Sequence, residues 1–160
     1  MKTTTGSTVF KKENNMPHSN TKIWIHLIFS TKDRAPIIDE SFEQKLYTHI
    51  ERKLSREYDS IAESVNGTKD HLHILFRMGE KQSIENIVKN IKGESSHWIN
   101  QSSLSLSRFA WQTGYSAFSI SIDKVQRVNE YIKNQKEHHK RRTFAEEYAE
   151  FSKIYGIKKE

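Results

Sequence analysis

The chain has 160 residues, with 26 Lys or Arg against 20 Asp or Glu, a formal charge of +6 and no cysteine. That length suffices for one domain with a real core, and the missing cysteines exclude disulfides and thiolate metal sites. No apolar run approaches the roughly 20 residues of a membrane span and no apolar signal-peptide core opens the chain, so a cytoplasmic, intracellular protein is expected, with the charge favouring polyanionic partners.

Residues 1–21 are polar and aperiodic and read as a disordered tail ahead of one domain over 22–156. Ile23 to Thr31 is rich in β-branched and aromatic residues and reads as a buried strand. His26 lies on the same side of it as Trp24 and Ile28 and reads as a satisfied core histidine. Asp33 to Pro36 breaks the strand. Asp39 to Tyr58 reads as a helix, with Asp39 or Ser41 as cap and Phe42, Leu46, Ile50 and Leu54 recurring at fours. Ser60 to Val65 is a short second strand. Asn66-Gly67 is a turn signal, so a hairpin into a third strand, His71 to Met78, is expected.

Ser83 to Asn100 reads as a second helix with Ile84, Ile87, Val88, Ile91 and Ile99 on its apolar side. Tyr115 to Ile122 is a fourth strand. Asp123 is placed to cap a third helix running to about Arg142. A last short helix is expected within Thr143 to Gly156. The order β-α-β-β-α-β is that of the ferredoxin-like arrangement, an α+β fold: an antiparallel sheet with two helices on one face, plus here a further, tyrosine-bearing helix. Such a fold hosts many activities.

Two stretches carry chemistry. In Asp70-His71-Leu72-His73-Ile74-Leu75-Phe76, strand alternation sends His71 and His73 to one face and Leu72, Ile74 and Phe76 to the other. Two imidazoles side by side suit a divalent metal. Without thiolates, the remaining ligand types favour Mg²⁺ or Mn²⁺ over structural zinc. Asp70 reads as a turn residue, with a supporting role behind the ligands as the alternative. In the helix after Asp123, Tyr131, Gln135 and His138 share one strip beside an apolar stripe of Val125, Val128 and Ile132. Arg127, Lys133, Lys136, Lys140, Arg141 and Arg142 make that helix basic and are candidate phosphate contacts, whose binding weakens with salt. A tyrosine phenol, with a pKa of about 10, is a poor nucleophile at neutral pH unless a cation polarises its target. His138 and His139 also read as histidines favoured by a helix C-terminus. Trp98 and Trp111 read as core.

His71-Leu72-His73 resembles the HUH motif, and Tyr131 to His139 resembles the single-tyrosine helix of IS200/IS605-type (Y1) transposases. Trp111 to Ser119, Ile25 to Lys32 and Thr143 to Tyr148 resemble that family's flanking segments, in the same order, so the resemblance spans about residues 22–156. Two departures are the long N-terminal segment and Ser116 where glycine is common. The resemblance implies a metal-dependent endonuclease and strand transferase that binds hairpin ends of a mobile element. It implies a 5′-phosphotyrosine intermediate on single-stranded DNA, with Mg²⁺ or Mn²⁺, in a homodimer whose active site can be shared between subunits. It makes Tyr131 the nucleophile, His71 and His73 metal ligands, Gln135 the third ligand, and His138 a metal or phosphate contact. The alternatives are a REP-associated relative acting on chromosomal palindromes and a homologue that binds hairpin DNA without cutting. An RNA-recognition module shares the topology but wants aromatics where the third strand has histidines.

Overall fold

The computed structural model describes residues 19–155, so the expected tail up to residue 18, and residue 156 at the end of the expected domain, lie outside the described residues. Strands β1 (Ile23–Ser30), β2 (Ile61–Gly67), β3 (His71–Met78) and β4 (Ser116–Ile120) alternate with α1 (Glu43–Tyr58) and α2 (Ile84–Gln101) in the expected order. They form one antiparallel sheet, ordered β2-β3-β1-β4. After β4 come α3 (Val125–Lys133), α4 (Gln135–His139) and α5 (Phe144–Ile154).

Alternation along the strands builds two different faces. Ile25, Leu27 and Phe29 of β1 and Leu72, Ile74 and Phe76 of β3 are buried with Leu46, Ile50 and Leu54 of α1 and Ile87, Val88, Ile91 and Ile99 of α2. Both tryptophans expected in the core pack against this cluster, Trp111 edge-on to Phe29 and Phe109. The other face holds His71, His73 and Leu75. A smaller cluster forms there from Leu75, Ile120 and Ile132, with Trp24, Val125, Val128, Tyr131 and Tyr155 packed against it. The expected apolar stripe of the tyrosine helix therefore seats α3 on the face opposite α1 and α2.

Local chemistry explains where elements begin and end. Ser83 caps α2, its hydroxyl accepting from the Asn86 amide at 3.2 Å. Asp39 accepts from the Ser41 amide at 2.8 Å and so shapes the turn before α1 rather than capping it. Asn66-Gly67 is not the turn of the hairpin: both residues pair in the ladder, Asn66 opposite His73 and Gly67 opposite Leu72. The chain reverses over Thr68 to Asp70, closed by the Thr68 amide donating to the His71 carbonyl at 3.0 Å. β4 is also shorter than expected, starting after Tyr115.

The expected single helix from Asp123 to Arg142 is two helices, broken at Asn134. The cause lies across the sheet. Asn66 of β2 donates its side-chain amide to the carbonyls of Ile132, at 2.9 Å, and Lys133, at 3.1 Å. Those oxygens are thus satisfied where α3 stops, and the chain turns before α4 resumes. Asp123 makes no side-chain cap and sits in a short 3₁₀ turn, Ile122–Lys124.

Gly67 serves close approach of strands rather than a turn. A Cβ there would collide with the His71 carbonyl oxygen and press on Leu72. Gly67→Ala is expected to destabilise the fold by roughly 1–3 kcal/mol in urea denaturation. Unchanged stability would mean the hairpin is not so tightly apposed.

Candidate active site

His71 and His73 are fully buried on the α3 side of the sheet. Each has its Nδ1 engaged, so each turns Nε2 inward. His71 Nδ1 lies 2.7 Å from Asp70 Oδ1 and 2.9 Å from the Thr68 hydroxyl. Asp70 is thus both turn residue and support for the histidine. His73 Nδ1 lies 2.9 Å from Nε2 of His26.

Glu147, in the first turn of α5, fills the space between the two inward nitrogens. Its Oε1 is 3.1 Å from His73 Nε2 and its Oε2 is 3.4 Å from His71 Nε2. Tyr131 donates its hydroxyl to Oε1, and Gln135 donates its amide N–H to the same oxygen at 3.0 Å. His139 Nε2 meets Oε2. Only 2% of Glu147 is exposed, so this carboxylate lives on its partners. One ligand atom each from His71, His73 and Glu147 lies within 4.8 Å of the others, as a bound cation would require.

The charges follow from this packing. Burial alone would raise the Glu147 carboxyl, but hydrogen bonds from His139, His71 and His73 override it and hold the group far below the usual carboxylate range. His71 loses to burial but gains more from Asp70 and Glu147, so its pKa is raised. His73 is pushed down to about 4, chiefly by burial, and His26 is lowered well below its ordinary value for the same reason. Burial and the Glu147 hydrogen bond both raise the Tyr131 phenol, so it stays protonated in the metal-free centre.

The structure brings Tyr131, Gln135, His71 and His73 together, and the break at Asn134 does not separate the first two. It places Gln135 with its amide nitrogen, not its oxygen, on Glu147. His138 does not face the histidine pair. Its ring stacks on Tyr131 at 4.7 Å, while His139 packs on His71 at 4.6 Å. Of the basic residues, Lys136 reaches Glu43 and Asn66, Lys140 reaches Glu137, and Arg142 reaches Glu150. Lys133 and Arg141 are exposed. Arg127 and Lys124 line a cavity of about 580 Å³ that also touches Tyr131, Glu147 and Tyr155. Glu147, the carboxylate at the middle of this centre, is the residue that the sequence reading missed. A signal for its helix was present: Thr143 and Glu146 exchange hydrogen bonds as a capping box, which fixes the start of α5 and so places the next residue inward.

The ferredoxin-like sheet thus carries a buried histidine pair facing a helix-borne tyrosine. The family described as "Transposase IS200 like" matches residues 19–135. The chain belongs to the IS200-like transposase family. Two solved structures are similar to it. One is a candidate transposase from Deinococcus radiodurans R1, 21% identical, with a TM-score of 0.57 over 74% of this chain and 94% of that one. The other is a REP-associated tyrosine transposase bound to a REP hairpin, 15% identical, with a TM-score of 0.56 over 74% of this chain and 68% of that one. At those identities the likeness is one of fold. No curated protein matches the sequence. No helix among the described residues is long and apolar enough to cross a membrane.

The opposed shifts of Glu147 and His71 predict a pH window. Glu147, held below its ordinary 4.5, contributes stability above that pH and loses it as pH falls further. His71, held above its ordinary 6.5, contributes fully below that pH and loses it as pH rises through the raised value. The stability gap between the metal-free protein and its Glu147→Gln variant should therefore be widest between 4.5 and 6.5 and shrink on either side. Urea denaturation across that range tests it, and a flat gap would refute the coupling.

Proposed function

We propose that this chain cuts and rejoins single-stranded DNA through Tyr131, at a centre where His71, His73 and Glu147 hold Mg²⁺ or Mn²⁺. The observation that supports this best is the convergence of the Tyr131 hydroxyl and both inward histidine nitrogens on one buried carboxylate. Two imidazoles and a carboxylate suit such a cation. Gln135 Oε1, buried with no hydrogen-bond partner among the described residues, adds a further oxygen to the donor set. Gln135 is thus a fourth donor beside Glu147, and its N–H holds that carboxylate in place. His138 supports the tyrosine ring by stacking.

A bound Mg²⁺ or Mn²⁺ supplies positive charge that offsets Glu147, eases ionisation of Tyr131 and stabilises the phosphate oxygens. Tyr131 Oη gives up its proton to solvent and forms a bond to phosphorus as the P–O3′ bond breaks; the leaving 3′-oxygen takes a proton from solvent, which leaves a 5′-phosphotyrosine and a free 3′-hydroxyl. Attack by a second 3′-hydroxyl on that phosphotyrosine restores the tyrosine and joins the strands. Arg127, which with Lys124 lines the cavity at Tyr131, is placed to meet the flanking phosphate, with Lys133, Lys136, Lys140, Arg141 and Arg142 farther along the strand. A neighbour of the same fold carries a REP hairpin, so hairpin DNA is the first substrate to offer.

Tyr131→Phe should lower the covalent protein–DNA adduct by roughly 10³-fold or more while hairpin binding is kept. An adduct that survives removes Tyr131 as nucleophile. The resemblance to the family implies a homodimer whose active site can be shared between subunits, whereas here the ring of Tyr131 lies 6.0 Å from His73 of its own chain. We therefore propose that the site is assembled within one chain. Mixing Tyr131→Phe with His71→Ala chains decides it: no recovered cleavage is expected, and recovery would show a site shared between subunits.

A further inference from the structure

β1 carries a buried histidine that the reaction above does not use. His26 is fully buried and lies opposite Leu75 in the β1–β3 register, which makes His73 its diagonal neighbour on one face. The two rings stack, centroids 5.1 Å apart at 30°. His26 Nε2 is 2.9 Å from His73 Nδ1, and His26 Nδ1 is 3.3 Å from the Tyr155 hydroxyl. Tyr155 is itself fixed by stacking on Phe118 of β4, at 4.2 Å and 3°. A chain of polar groups thus runs from Tyr155, just after α5, through β1 to one of the two inward histidines.

Each close pair of nitrogens needs one proton between them. With no metal, His73 Nε2 faces Glu147 Oε1 at 3.1 Å and carries the proton against that carboxylate, so its Nδ1 must accept. His26 Nε2–H then donates to it, and His26 Nδ1 accepts from Tyr155. A metal on His73 Nε2 demands a lone pair there, so His73 must carry its proton on Nδ1 and donate. His26 Nε2 then accepts, and His26 Nδ1–H donates to the Tyr155 oxygen. The proton leaving His73 Nε2 goes to solvent, and His26 Nε2 passes one to His73 Nδ1. The Tyr155 hydroxyl passes one to His26 Nδ1 and takes one back from solvent, so the three groups keep the same number of protons. Only a group able to donate or accept at both ends satisfies both states. Neutral imidazole does so by exchanging tautomers.

We infer that His26, backed by Tyr155, is a positioning residue that sets the tautomer and ring orientation of His73, letting it exchange a hydrogen bond to Glu147 for a metal. The core-histidine reading of His26 is thereby given a purpose: it is satisfied, and its partner is a ligand. The inference rests on the metal site proposed above and needs no DNA to test. Outer partners of ligating histidines are typically worth 10- to 100-fold in metal affinity.

The test is Mn²⁺ titration by electron paramagnetic resonance, with imidazole ¹⁵N spectra of the wild-type protein before and after Zn²⁺. His26→Phe, similar in size, should bind Mn²⁺ roughly 10- to 100-fold more weakly while keeping its fold by circular dichroism. His26→Gln, with one donating and one accepting end, should fall between. In the wild-type spectra, Zn²⁺ should invert the tautomers of both His26 and His73. Mn²⁺ affinity unchanged in a folded His26→Phe, or a His26 tautomer unmoved by Zn²⁺, overturns the inference. The ¹⁵N arm decides the matter if His26→Phe does not fold. Wild-type protein that binds neither ion removes the metal reading itself, and this inference with it.

Discussion

One buried carboxylate organises the face of the sheet that matters. Glu147 accepts from Tyr131 and Gln135, stands between His71 and His73, and meets His139. An anion this deep is tolerable only with donors all round it. The arrangement therefore ties α3, α4 and α5 to β3 through a single group. Neutral histidine rings on a sheet have little reason to be buried. Opposite an anion they become its counterparts, and the same atoms lie as a bound cation would require. The polar centre and the second apolar cluster lie side by side, so the helices close over chemistry and grease together.

Placing the tyrosine is a second constraint, and β2 meets it. Asn66 faces the same side as His73, opposite it in the ladder, and its amide takes the last carbonyls of α3. That ends the helix two residues after Tyr131 and lets the chain bend so that Gln135, fully buried, still reaches Glu147. The stack of His138 on Tyr131 follows from the same bend. A straight helix through Arg142 would carry residues after Lys133 away along one axis.

The architecture was legible because its signals are local and repeated. The β-branched and aromatic run of β1, the histidine–apolar alternation of β3 and the fours in α1 each specify an element without reference to the rest. His71 and His73 were legible for the same reason: alternation fixes their face whatever covers it. The failures share one cause, side chains from distant segments acting on the backbone. Asn66-Gly67 has the composition of a turn, but the strand partner needs a glycine for clearance and an asparagine to reach α3. No pattern within 123–142 announces a break imposed by residue 66. Glu147 was visible only as one acidic residue among several, since what distinguishes it is burial against two histidines more than seventy residues earlier.

The family match ends at residue 135, so Tyr131 and Gln135 fall inside it while Glu147 of α5 and Tyr155 just after α5 lie beyond it. The two halves of the centre make conflicting demands. Under the proposed chemistry a scissile phosphate must approach Tyr131, yet the carboxylate that Tyr131 touches is an anion too. Two unit negative charges about 4 Å apart at an effective dielectric near 20 repel by roughly 4 kcal/mol, enough to weaken binding about a thousandfold. Glu147 and a phosphate can share this space only if a cation lies between them. The inward nitrogens of His71 and His73 are where such a cation would be held. In this reading the carboxylate that stabilises the metal-free centre also bars DNA from it, so loading of the metal and admission of the substrate are one electrostatic event.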